Sequence, residues 1–188
     1  MIERFTGADG AHATDVPELT LYRLSAATEP VALVYEPSLC VIAQGSKDVR
    51  LADEVYHYDP AHFLLVSVDL PVAGCVVEAT AAEPYLGLRV SLDPATVAEL
   101  LADGAAADAP PGPPARGLAV TPADPPLLDA VARLVALLDC PRDAAALAPL
   151  VLREITYRLL TGPQGLRLLQ IAASGGPARR VARAVRWL

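Results

Sequence analysis

From Leu19 to about Leu92 the chain is a series of short apolar runs rich in Val, Leu and Tyr: LTLYRLS, VALVYE, SLCVIAQ, DVRLA, EVYHY, HFLLVSV, AGCVVEA and YLGLRVSL. Turn formers separate them at Glu36-Pro37-Ser38, Gly45-Ser46, Ala52-Asp53, Asp59-Pro60 and Glu83-Pro84, because Gly and Pro interrupt regular structure. Strands of this length at a spacing of about ten residues predict an antiparallel sandwich or barrel. Alternation gives each strand two faces. Ser38, Cys40, Ile42 and Gln44 share one, as do His62, Leu64, Val66 and Val68, while Tyr85, Gly87, Arg89 and Ser91 oppose Leu86, Leu88, Val90 and Leu92. Alternation alone does not say which face looks inward.

After Leu92 the period changes to that of a helix. DPATVAELLADG opens with Asp93 as N-cap and Pro94 at the first helical position, and closes on Gly104. ADAPPGPPARG is a Pro-rich connector unsuited to helix or sheet. DPPLLDAVARLVALLDCP places Leu127, Leu128, Val131, Leu134, Val135 and Leu138 on one face. DAAALAPLVLREITYRLLTG predicts a second helix, with Pro149 near its first turns and Gly162-Pro163 at its end; PQGLRLLQIAAS predicts a shorter one. SGGPARRVARAVRWL reads as a linker and a last helix from Pro177. Strands followed by helices make an α+β chain. Residues 1–17, with little apolar pattern, read as a flexible arm. The last helix carries an apolar seam of Val181, Ala184, Val185 and Leu188 with nothing to pack on and no C-cap, so we expect the chain to be cut here.

Composition narrows the function. A length of 188 residues suffices for one domain with a sizeable core. No apolar run reaches the roughly 18 residues of a membrane span, and MIERFTGADGAHATDVPE lacks the apolar centre of a secretory signal. Three Cys without a CxxC pair point to a reducing compartment, so a cytoplasmic protein without membrane contact is expected. Net charge is −7. The tail holds Arg179, Arg180, Arg183 and Arg186; taking those four from 15 basic residues leaves 11 against 22 acidic ones. Such a body repels nucleic acid, whereas the tail can touch phosphate. Lys47 is the only lysine, which reads as a coding preference for Arg.

Catalytic chemistry finds little support. A metal-binding barrel enzyme needs three or four converging N/O ligands. Here His57 and His62 straddle the Asp59-Pro60 turn, no His follows His62, and Glu78 adds at best an improvised carboxylate. No metal and no cofactor are expected. A Gly-x-Ser-x-Gly elbow is missing, and neither GADG nor QGSK has the setting of a phosphate loop, so the chain is not read as an enzyme. Small barrels instead hold ligands behind a mostly apolar wall with a few placed polar groups. Tyr35, Cys40, Tyr56, His62, Tyr85 and Arg89 are the candidates for orienting one, with Arg89 favouring an anion through a bidentate contact. Each has a plainer reading: core or edge tyrosines, a strand histidine, a sheet-capping arginine. Cys40 reads either as a small buried hydrophobe or as a thiol that senses electrophiles.

YEPSLCVIAQGSKDVRLADEVYHYDPAHFLLVSVDLPV, followed by PYLGLRVSLDPATVAELL, REITYRLLTGPQGLRLLQIA and RRVARAVRWL, resembles the N-terminal region of AraC-type transcriptional regulators. The resemblance runs in order from about Leu19 to Leu188. It implies a cupin-like, jelly-roll barrel with its short helix and connector over 18–122, binding a small-molecule effector. It further implies a helical dimerisation segment over 123–173 and the first helix of a truncated helix-turn-helix DNA-binding domain over 177–188. A homodimer is then expected, with Leu134, Leu138, Arg153 and Tyr157 at its interface. Arg179, Arg180 and Arg183 would contact the DNA backbone in the parent protein, DNA being a partner only through the missing region. The rival reading is a stand-alone cupin-type enzyme or small-molecule binder.

Overall fold

The computed structural model describes residues 1–105 and 116–174. The connector's 106–115 and the last predicted helix, with Arg179, Arg180 and Arg183, lie outside the described residues. The chain is α+β, an antiparallel cupin-like β half followed by helices. Its strands are β1 (Gly10–Ala13), β2 (Leu19–Leu24), β3 (Val31–Tyr35), β4 (Ser38–Gln44), β5 (Ser46–Leu51), β6 (Glu54–Tyr58), β7 (His62–Val66), β8 (Leu70–Glu78), β9 (Tyr85–Ser91) and β10 (Leu118–Pro122). Its helices are α1 (Pro94–Ala102), α2 (Pro125–Ala136), α3 (Pro141–Thr161) and α4 (Gly165–Ser174). None of the described helices is long and apolar enough to cross a membrane.

The strands form two sheets laid face to face, in the orders β1-β2-β9-β4-β7-β10 and β3-β8-β5-β6, with every pairing antiparallel. The predicted barrel is therefore a two-sheet sandwich rather than one continuous ring. The chain changes sheet between β4 and β5, where both strands shift register. Such bulges bend a strand out of its ladder. Gly45 sits at the corner with φ +81°, and a Cβ there would strike the Glu78 carbonyl. Only glycine meets both demands.

Helices cover the outer side of the six-stranded sheet, so that sheet is buried on both faces. One apolar cluster joins Leu39, Val41, Phe63, Leu65, Leu88 and Val90 to helix residues such as Val97, Leu127, Leu134 and Ile155. The other fills the space between the sheets. Strand β4 shows the consequence: its first five residues are all buried.

Helix boundaries follow their chemistry. The Asp93 carboxylate accepts from Ala95 N at 3.1 Å and Thr96 N at 3.4 Å, with Pro94 next to it, as the N-cap reading predicts. Helix α3 starts earlier than the sequence suggests, at Pro141, so Pro149 sits inside it rather than near its first turns. The arm also differs from expectation. Ile2 and Val16 are buried in the helix-side core, Phe5 packs against it, Arg4 pairs with Asp139, and β1 adds to the edge of the six-stranded sheet. Residues 1–17 are thus docked on the body. Their apolar residues are too sparse to show a period in sequence.

Candidate functional site

Which strand face looks between the sheets is now fixed. On β9 it is Tyr85, Gly87 and Arg89; on β4, Ser38, Cys40 and Ile42; on β7, Leu64 and Val66. The four-stranded sheet contributes Tyr35, Lys47, Val49, Tyr58 and Val72. The space is walled by hydrocarbon but studded with phenols, one thiol and two cations.

Cys40 sits near the middle, 8% exposed, directly across from Arg89 in the β4–β9 ladder. Burial pushes its thiol up, opposed by the charges of Lys47 and Arg89 and by a hydrogen bond with Ser38. The resting group is therefore the thiol, not the thiolate that reacts with electrophiles. Tyr58 is fully buried and hydrogen-bonded to Tyr85; burial raises the pKa of both, and of Tyr35. All three phenols stay neutral donors at physiological pH. Two inward glycines make room for these groups. A Cβ on Gly87 would lie 2.6 Å from Tyr85 Oη, and one on Gly74 would lie 3.3 Å from Lys47 Cε and 3.5 Å from Tyr35 Oη.

Lys47 reaches into this space with its ammonium 5.6 Å from the centroid of the Tyr35 ring, a cation–π placement. Burial lowers its pKa, while Cys40 and Cys75 act to raise it. Arg89 has its Nε buried and without a hydrogen-bond partner among the described residues. Tyr22, Lys47 and Arg89 are only half-buried, so the interior keeps contact with solvent on their side.

Four of the six predicted ligand contacts, Tyr35, Cys40, Tyr85 and Arg89, thus meet in one place, and Tyr56 packs against the edge of the same cluster. His62 does not join them. The Tyr56 hydroxyl donates to Glu54 Oε2 at 2.7 Å, and Glu54 is also paired with Arg116. His62, half-exposed, is held by Asp59 at 2.7 Å. His57 points from the outer face of β6 to Asp48, also at 2.7 Å. Among the described residues no three His, Cys, Asp or Glu side chains converge as metal ligands do.

Sequence reasoning missed Lys47, Tyr22 and Tyr58. Lys47 falls between the Gly45-Ser46 turn and the run DVRLA in the sequence reading, whereas β5 begins at Ser46. A lysine in phase with Val49 and Leu51 was the signal for an inward cation. A separate groove of about 490 Å³, over Ala32, Val34, Arg50, Pro71 and Ala73, lies at the outer face of the four-stranded sheet, away from this cluster.

A family profile described as AraC-type transcriptional regulator N-terminus matches residues 15–167. The chain belongs to this family. No curated protein matches it. Among solved structures it is similar to apo ToxT K231A from Vibrio cholerae strain SCE256, at 8% identity and a TM-score of 0.47 over 77% of this chain and 55% of that one. Unsaturated-fatty-acid-bound wild-type ToxT from the same strain gives 9% and 0.49 over 76% and 52%. The AraC-like transcriptional activator CuxR gives 11% and 0.48 over 86% and 55%. The chain spans about half the length of these structures, and identity this low transfers no residue role.

In this AraC-type domain the helical layer is tied to the wall of the interior by polar contacts. Gln164 Nε2 donates to Thr121 Oγ1 at 2.5 Å, Arg167 Nε to the Arg116 carbonyl at 2.9 Å, and Ser67 Oγ to Gln170 Oε1 at 2.7 Å. They join α4 and the residue before it to β10, to the segment entering β10 and to the residue that follows β7. The predicted interface residues scatter. Leu134 is fully buried inside the protomer, so it has no surface to offer a partner, and Leu138 packs partly against the same core. Arg153 bridges α3 to α1 through Glu99 at 3.1 Å and Asp103 at 2.6 Å. Tyr157 is exposed, in line with exposed Leu147 and Leu150 on the same face of α3. Helical periodicity marks an apolar face but not what covers it.

Proposed function

We propose that this AraC-type domain senses a small-molecule effector held between its two sheets. The supporting observation is the cluster of Tyr22, Tyr35, Tyr58, Tyr85, Cys40, Lys47 and Arg89 between the sheets, open to solvent at Tyr22, Lys47 and Arg89 and far more polar than a strand core requires. A polar group inside an apolar wall costs stability unless it is matched, and a mostly apolar pocket with a few convergent polar groups is how ligand sites are built. Regulation would follow from linkage: an effector shifts an equilibrium only as far as it binds one arrangement better than another. The contacts from β10 and β7 to α4 give the helical layer a direct stake in the shape of that wall.

Two copies would associate through the outer face of α3, around Leu147, Leu150 and Tyr157, and hold two DNA-binding regions in register. Arg179, Arg180 and Arg183 would then meet the DNA backbone together with helices beyond Leu188. In sedimentation, Leu150→Arg is expected to shift a dimer to monomer; a wild-type chain that is monomeric at all concentrations contradicts this part.

The sensor reading is tested by thermal-shift screening of a metabolite library. Hits are expected to raise Tm for the wild-type chain and for Arg50→Ala in the outer groove, and to be lost in Ile42→Phe, which fills the interior. Hits that survive Ile42→Phe with undiminished shifts would move the site elsewhere.

A further inference from the structure

Arg4, Arg23, Arg116, Arg133, Arg153 and Arg158 pair with Asp or Glu, while Arg50 and Arg142 are exposed and are left to solvent. The interior holds two cations that have neither a carboxylate nor full exposure. Lys47 and Arg89 enter the same cluster, both acting on Cys40, yet no ion pair among the described residues involves either. A chain with 22 acidic residues had every opportunity to place one there. What surrounds the two cations is instead neutral: the thiol of Cys40 and the phenols of Tyr22, Tyr35 and Tyr85.

Unpaired charge in an apolar setting is unfavourable and is retained where something supplies the counter-charge. The donors have a definite shape. Arg89 offers a planar fork whose Nε is buried and free, which suits the two oxygens of a carboxylate. Lys47 offers a point charge beside the Tyr35 ring, and its side chain lies over Gly74, where the missing Cβ leaves it room. Beyond them lie Ile42, Val49, Leu64 and Val66, all apolar and buried. A carboxylate with a hydrocarbon body satisfies both ends.

Resting on the reading of the interior as an effector chamber, we propose that its effector is an organic carboxylate. The carboxylate lies between Lys47 and Arg89, and its apolar body lies against the Ile42–Val49–Leu64 wall. The position of Lys47 as the only lysine makes this directly observable. In the 188-residue chain labelled with ¹³C at lysine Cε, a single side-chain signal reports on it. Octanoate and benzoate are titrated alongside octanamide, benzamide and sodium sulfate. We expect the carboxylates to shift the lysine signal and move its titration to higher pH, with the amides and sulfate leaving it in place. Lys47→Met and Arg89→Met are each expected to weaken carboxylate binding about tenfold or more by calorimetry, the loss of one charge-assisted contact. Should either variant fail to fold, the lysine signal of the wild-type chain still decides.

Amides that bind as well as acids and move the lysine signal overturn the carboxylate and leave the chamber standing. Sulfate that binds as tightly overturns the carboxylate as the class. Acids that bind without touching the signal, or do not bind at millimolar concentration, overturn it as well. The chamber reading itself falls only with the Ile42→Phe result above.

Discussion

On one side of the six-stranded sheet, Leu39, Leu65 and Leu88 belong to a cluster with helix residues that holds no ionisable side chain; on the other, Cys40, Leu64 and Arg89 share a space with phenols and an ammonium. The same three strands supply both sets, one residue apart. The first core is what a fold needs and nothing more. The second carries polar and charged groups that cost stability unless something matches them. On the proposed reading, stability and recognition are separated by the thickness of a single sheet.

The sharpest way to break this comparison uses neighbours on β7. Leu64 and Leu65 are both fully buried, on opposite faces. Leu65→Ala is expected to cost about 3 kcal/mol or more in urea unfolding, the range for a leucine removed from a packed core. Leu64→Ala should cost nearer ~2 kcal/mol, since the cost depends on how the site can relax, and it alone should change the pattern of ligands that raise Tm. Equal costs with equal ligand responses would collapse the distinction.

Gly87→Ala comes next. Its Cβ would fall 2.9 Å from Tyr85 Cζ, so the ring must leave its place and its bond with Tyr58. Overpacking of this kind costs about 1–3 kcal/mol, and near-UV dichroism should register the displaced tyrosine.

Lys47→Met should act in the opposite direction. Burial holds the folded-state pKa of Lys47 below the ordinary 10.5. Between those two values the unfolded chain binds more protons than the folded one, so stability rises with pH through that window. The penalty is complete below the folded-state value and gone above 10.5. Lys47→Met is therefore expected to stabilise by about 1 kcal/mol at neutral pH, with the gain shrinking towards alkaline pH. A gain independent of pH would mean that packing, not charge, is responsible.

Smallest is Arg153→Ala, which removes the exposed bridges from α3 to α1. It should cost less than ~1 kcal/mol and nothing measurable in high salt.

Much of this was legible beforehand, for reasons specific to each element. The eight strands from Leu19 to Ser91 stand in sequence because Gly and Pro punctuate them. Strands β1 and β10 did not show. GAHA pairs on one side only and needs no apolar face, and LAVTP ends in a proline just after the connector. The site was half legible. Tyr35, Cys40, Tyr85 and Arg89 were named from residue type, but the inward face was not, because SLCVIA is apolar on both sides and so carries no phase. Lys47 is missed because the run DVRLA starts at Asp48, two residues after the strand itself begins.

The double burial of β4 has a consequence for how such a protein can change over generations. Leu39 and Val41 are fixed by the helices they pack against, whereas Ser38, Cys40 and Ile42 answer to the interior alone. Alternate letters of one strand are therefore under separate selection. A lineage can rewrite the even-numbered positions to meet a new signal while the odd-numbered ones keep the fold and its helical layer intact.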